Sequence, residues 1–226
     1  MKVYFMQVLE TLSFDVEKMR SKVSHIRWEK AMSYVNRKDQ NLSLLAYLLW
    51  KYASQEKETT WKLGKLNKPY IEGKVRFNIA HTQGMVACAL SHQGEVGVDV
   101  EKIEPRNYLK KLDFIMSTEE IEQIGKNSKF FFQLWTLKEA FLKWKGTGII
   151  DNLAQISFSE HIKNGMANLE EYKKLQGVYQ DGEFISIEKH DYYISAFHDN
   201  NKELVDVKEI EELDLLSWIS GKSTVL

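Results

Sequence analysis

A single cysteine, Cys88, stands among 226 residues, so no disulfide can close within the chain. A reducing cytoplasm is the expected compartment. Two prolines and no low-complexity stretch leave no candidate linker. Neither charge is in excess: 31 Lys and Arg face 32 Asp and Glu, a net of −1. That excludes a broad basic surface for nucleic acid and leaves only local patches. The longest apolar run, LLAYLLW at 44–50, is far short of the roughly 20 residues a membrane span needs, so no membrane role is expected. The opening MKVYFMQVLE has one lysine and an apolar run broken by Gln7 and Glu10. It reads as a strand and not as a secretion signal. There is no Walker loop, no G-x-G-x-x-G, no G-x-S-x-G and no credible Cys–His pair. The chain therefore offers neither a glycine-rich phosphate cradle nor a nucleophile of its own.

What is present is a 43% hydrophobic chain, enough for one large core or two small ones. A strand is expected over Val3–Leu9 and a capped helix start at Ser13. Helices are expected over Ile26–Asn36 and Asn41–Gln55, the second with a wide apolar stripe from Leu42 to Leu49. After a turn at KLNKPYIEGK, Lys74–Ala80 and Met85–Ser91 read as paired strands around His81-Thr-Gln-Gly84. A strand over Glu95–Ile103 then restarts the pattern. Helices follow near Tyr108–Met116, Thr118–Lys126 and Ser128–Lys145, and strands near Gln155–Phe158, Gly182–Glu188 and Asp191–Phe197. Strand, helices, strands thus occurs twice. The fold class expected is α+β, two similar halves packed side by side, with a boundary between residues 93 and 94 and a C-terminal tail docked on the surface.

Three stretches carry chemistry. In GVDVEKI, residues 97–103, strand alternation points Asp99 and Glu101 one way and Val98 and Val100 the other. The two carboxylates repel by about 2–3 kcal/mol at an effective dielectric of 20, which either water or a hard cation such as Mg²⁺ can offset. In LWTLKEAFLKWKGTGI, residues 134–149, helical period gives Phe130, Leu134, Leu137, Phe141 and Trp144 one core face. Glu139 and Lys143 lie on the other side. There Phe132, Trp135 and Leu142 make a semi-buried cleft as plausible a setting as an ordinary i,i+4 ion pair. In FNIAHTQG, residues 77–84, His81 ends a strand, and Asn78 is a candidate for a bond to its own backbone. Cys88 reads as core.

Taken together, F-N-I-A-H, G-V-D-V-E and W-T-L-K-E-A-F-L-K resemble the Sfp-type 4′-phosphopantetheinyl transferases over residues 1 to about 200. The resemblance implies a fold of two α/β halves related by a pseudo-twofold axis, and a monomer. It implies transfer of 4′-phosphopantetheine from coenzyme A to a serine of an apo acyl or peptidyl carrier protein, releasing 3′,5′-adenosine bisphosphate. It makes Asp99, Glu101 and Glu139 the ligands of Mg²⁺, or of Mn²⁺, with Glu139 as metal ligand, general base or both. His81 and Lys143 would meet the diphosphate, with Ala80 and Asp99 beside them. Lys68 and Pro69 would line the nucleotide, and Arg27 and Lys30 would hold the 3′-phosphate. Two positions depart from the family: Leu42 stands where an arginine is usual, with Arg37 and Lys38 nearby, and Asn67 stands where a glycine usually precedes Lys68-Pro69. An acidic carrier would meet Lys102, Lys110, Lys111 and the segment to Lys126. The rival readings are another metal-dependent nucleotide enzyme and a coenzyme A binder that has lost turnover.

Overall fold

A computed structural model describes residues 1–9, 19–56, 60–104, 112–148, 152–200 and 204–221. The first half holds β1 (Lys2–Gln7), α1 (His25–Met32), α2 (Arg37–Ser54), the short pair β2 (Lys62–Leu63) and β3 (Pro69–Tyr70), β4 (Arg76–Thr82) and β5 (Met85–Ser91). The second holds β6 (Val96–Lys102), α3 (Leu112–Ile115), α4 (Thr118–Lys126), α5 (Lys129–Lys145), α6 (Ser159–Lys163), β7 (Ala167–Asn168), β8 (Lys173–Tyr179), β9 (Gly182–Lys189) and β10 (Tyr192–Asp199). β11 (Asp206–Glu209) and α7 (Glu212–Ile219) follow.

The repeat seen in the sequence is one of topology. In the first half a strand, a long helix and a hairpin give the sheet order β1-β5-β4; in the second they give β6-β10-β9. In both, the opening strand pairs antiparallel with the second strand of the hairpin. Side-chain alternation then builds four layers. Val3, Phe5, Ala87 and Ala89 from the first sheet meet Val98, Val100, Ile187 and Ile194 from the second in a core between the sheets. Tyr4, Met6, Val86 and Cys88 point the opposite way, under α2, and Phe184 and Phe197 point under α5. Burying one such Leu, Val or Phe side chain is worth about 1.5–3 kcal/mol. The cores on either side of each sheet are therefore what hold the layers.

Three segments differ from the sequence reading. The tail does not lie on the surface: β11 adds a parallel strand beside β1, and α7 buries Leu215 and Ile219 in the core under α2. The last segment of the chain thus packs with the first half. Gln155–Phe158, expected as a strand, makes none. The carbonyl of Ile156 accepts from Lys138 Nζ and the N–H of Phe158 donates to Glu120, so side chains take the groups a ladder would use. β8 was not expected, because KKLQGVY alternates too weakly at a sheet margin to read as a strand. The helix start at Ser13 lies outside the described residues, as do residues 108–111 of the helix expected near Tyr108–Met116, whose remainder forms α3.

Candidate functional site between the two halves

The acidic strand and the long helix meet at Gly97. A Cβ there would collide with the carbonyl oxygen of Ala140 and the amide nitrogen of Trp144. Only a residue without a side chain lets α5 lie so close to β6. One strand pleat further on, Asp99 comes under Lys143, whose Nζ donates to Asp99 Oδ1 at 2.5 Å. The lysine is thus bonded across to the strand, and the i,i+4 partner Glu139 acts on it through its charge. Asp99 is 7% exposed, and its second oxygen, Oδ2, is buried without a hydrogen-bond partner.

A cleft of about 670 Å³ opens beside this contact. Arg27, Lys30, Lys68, Pro69, Glu139 and Lys143 all line it, on an apolar background that includes Ile79 and Leu142. A second, more polar lobe of about 580 Å³ shares Arg27, Ile79 and Lys143 and adds Ala80, His81 and Glu101. Residues read from five separate stretches of sequence are therefore brought to one place, with Asp99 in contact through Lys143.

The electrostatics follow from burial and the sign of the neighbours. Burial raises Asp99 above the usual carboxylate range against the pull of Lys143. Burial, and then the charge of Asp99, raises Glu139. Burial opposes the charge on Lys143 too, but Asp99, Glu139 and Glu101 outweigh it and hold the ammonium above its ordinary value. Three carboxylates thus act on one ammonium. Burial, then Arg27, Lys143 and Lys30, push His81 down to about 4. At neutral pH it is therefore an uncharged hydrogen-bonding group.

Two basic residues have defined partners. Arg27 is buried, and its Nε and Nη2 donate to the Ser43 carbonyl at 3.1 and 2.7 Å, with Nη2 also 2.6 Å from Ser43 Oγ. Burial lowers it to about 10, so it stays cationic and, among the described residues, has no carboxylate partner. Lys68 donates to Glu95 at 2.8 Å and to the Trp144 carbonyl at 3.2 Å, which ties the turn between β2 and β3 to the end of α5. Asn67 before it has φ 62°, the left-handed conformation that Asn tolerates. Leu42 is 6% exposed in the core under α2. Of the basic residues expected to meet a carrier, Lys102 pairs with Glu104 at 3.3 Å, and Lys110 and Lys111 lie outside the described residues.

Three supports play parts that the sequence reading did not give them. Asn78 bonds across the halves to the Val98 N–H at 2.9 Å, not to its own backbone. Thr82 Oγ1 lies 3.2 Å from Glu101 Oε2. Lys138, beside Glu139 in the motif, is fully buried and paired with Glu120 at 2.7 Å. It holds the 153–156 turn through the Leu153 and Ile156 carbonyls. A helical wheel places Lys138 on the core side, the one signal that set it apart from Lys143.

Asp99, Glu101 and Glu139 offer hard oxygen donors, the orphaned Asp99 Oδ2 suits a divalent cation, and the donor chemistry fits Mg²⁺ or Mn²⁺. They are not assembled as a ligand cluster: among the described residues no three His, Cys, Asp or Glu are grouped to hold a metal ion. Lys143 Nζ stands against Asp99 in this arrangement.

Residues 95–196 match the model of the 4′-phosphopantetheinyl transferase superfamily. A Synechocystis sp. protein bearing that transferase name provisionally is 37% identical over 109 residues, 44% of each chain. The 4′-phosphopantetheinyl transferase gsp of Aneurinibacillus migulanus is 33% identical over 141 residues, 58% of this chain and 59% of that one. The transferase Sfp of Bacillus subtilis is 27% identical over 183 residues, 75% of this chain and 81% of that one. The chain thus spans about half the length of the first two relatives and most of the third. Both the matched region and the longer alignment run through the acidic strand and the helix packed on it, and there the chain is similar to the Sfp-type 4′-phosphopantetheinyl transferases.

Proposed function

We propose that this protein transfers the 4′-phosphopantetheine group of coenzyme A to a serine of an apo acyl or peptidyl carrier protein and releases 3′,5′-adenosine bisphosphate. The observation that carries the reading is the convergence of Glu139, Lys143 and His81 with four further cleft residues at the seam where β6 meets α5. Arg27 and Lys30 supply positive charge for the 3′-phosphate, and Lys68 and Pro69 line the nucleotide. Neutral His81 and cationic Lys143 meet the diphosphate, with Ala80 leaving room beside them. Asp99, Glu101 and Glu139 would hold Mg²⁺, or Mn²⁺, which when bound supplies charge neutralisation to the diphosphate. The carrier serine Oγ attacks the phosphorus that bears pantetheine. Its proton passes to Glu139, whose carboxyl burial and the charge of Asp99 make more basic than an ordinary one. The phosphorus–oxygen bond to the adenosine bisphosphate breaks, and that oxygen leaves with the nucleotide.

The protein works, on this reading, as a cytoplasmic monomer with no nucleic-acid or membrane partner. No helix among the described residues is long and apolar enough to cross a membrane. The test is intact-mass spectrometry of apo carrier proteins incubated with the protein, coenzyme A and Mg²⁺. A gain of one phosphopantetheinyl group, lost with chelator and slowed about 100-fold or more in Glu139→Ala, is expected. Leu42, buried where the family usually carries arginine, favours one second reading, a coenzyme A binder that has lost turnover. Binding of coenzyme A with no gain on any of several carriers would select it.

A further inference from the structure

Side chains close the seam between the two sheets where a continuous sheet would use its backbone. β4 is the outer strand of the first sheet and β6 the outer strand of the second, and they lie side by side without a shared ladder. Asn78, Ala80 and Thr82 alternate onto the face of β4 that meets β6. Asn78 Oδ1 accepts the Val98 N–H at 2.9 Å, in a buried position. Thr82 Oγ1 donates to Glu101 Oε2 at 3.2 Å. Ala80, between them, packs in the same core as Val98 and Val100. The two bonds therefore grip β6 on either side of Asp99.

We propose that Asn78 and Thr82 are positioning residues that set the acidic strand, and with it the carboxylates of Asp99 and Glu101, against the wall of the cleft. The Val98 N–H points away from β10, and a buried amide with no acceptor is destabilising. An asparagine side chain supplies the acceptor where β4 and β6 share no ladder and adds no charge beside two acids. The Thr82 hydroxyl holds Glu101 in one orientation, as outer hydrogen-bond partners commonly do for carboxylates that bind metals. The grip on Val98 stands by itself; what Glu101 is held for rests on the transferase reading.

The experiment uses ¹⁵N-labelled full chain, wild type and four variants, with two readouts. The first is amide exchange at Val98, with Ile194 inside the sheet as control. Asn78→Ala should speed Val98 exchange about tenfold and leave Ile194 unchanged. Asn78→Asp keeps an acceptor oxygen and should keep the protection. The second is the Mg²⁺ concentration for half-maximal transfer. Thr82→Val should raise it about tenfold without moving the KM for coenzyme A, and Thr82→Ser should restore it. Unchanged Val98 exchange in Asn78→Ala overturns the role of Asn78. A Thr82→Val enzyme with the Mg²⁺ requirement of the wild type overturns that of Thr82. A wild type that transfers nothing overturns the transferase reading and Thr82's role with it, while Val98 exchange still decides Asn78.

Discussion

His81 is a residue whose charge the fold sets. Its imidazole, pushed down to about 4 by burial and by Arg27, Lys143 and Lys30, lies below the ordinary value of about 6.5. Between those values the unfolded chain binds the proton and the native one does not. Stability that is present above pH 6.5 is lost as the pH falls toward 4, by up to about 3 kcal/mol. His81→Gln has nothing to titrate there, so its urea-unfolding free energy should fall less between pH 7 and pH 4.5 than that of the wild type. Lys143 raises the complementary question of what balances Asp99. Lys143→Met removes the ammonium from a carboxylate 7% exposed and should destabilise the protein by about 2–4 kcal/mol. Added Mg²⁺ should return part of that loss for the variant, read as a larger rise in melting temperature than in the wild type. The alternation that pairs Asp99 with Glu101 was legible from GVDVE alone. That Lys143 bonds to Asp99 and not to Glu139 was not, because the partner lies 44 residues away on another element.

At the scale of elements, α5 and β6 are held at a distance that Gly97 alone permits. Gly97→Ala places a methyl group against backbone atoms of Ala140 and Trp144, which no side-chain rotation relieves. The helix must lift or slide, at a cost of about 3 kcal/mol. The displacement carries Glu139 and Lys143 away from Asp99, so transfer should fall by more than the loss of folded protein explains. Comparing activity per folded molecule, from circular dichroism of the same samples, separates the two effects. The helix itself was readable from its period: Leu134, Leu137, Phe141 and Trp144 are buried as expected. The period also turns Lys138 toward the core side, but a lysine reads as solvent-facing until its partner, Glu120, is seen fully buried beside it.

Over the whole molecule, the two halves share a topology but not their last segment. Ile210, Leu215 and Ile219 fill the core under α2, and Trp218 meets Tyr52 edge-on at 5.6 Å. Removing residues 204–226 should expose that apolar face and loosen the first half more than the second. Amide exchange should then speed in β1 and α2 while β9 and β10 keep their protection. An even loss over both halves would show instead that the interface between the sheets carries the cooperativity. By itself the sequence determined the elements with strong periods, the repeated pattern and the residue types of the site, because period, capping and carboxylate pairing are local properties. It also carried the family resemblance. The tertiary structure decided the rest: the tail's place in the first sheet, the neutral state of His81, the partner of Lys143, and the grip of Asn78 and Thr82 on β6. Each of these depends on burial or on a partner remote in the chain, and neither is a property of any local stretch of residues.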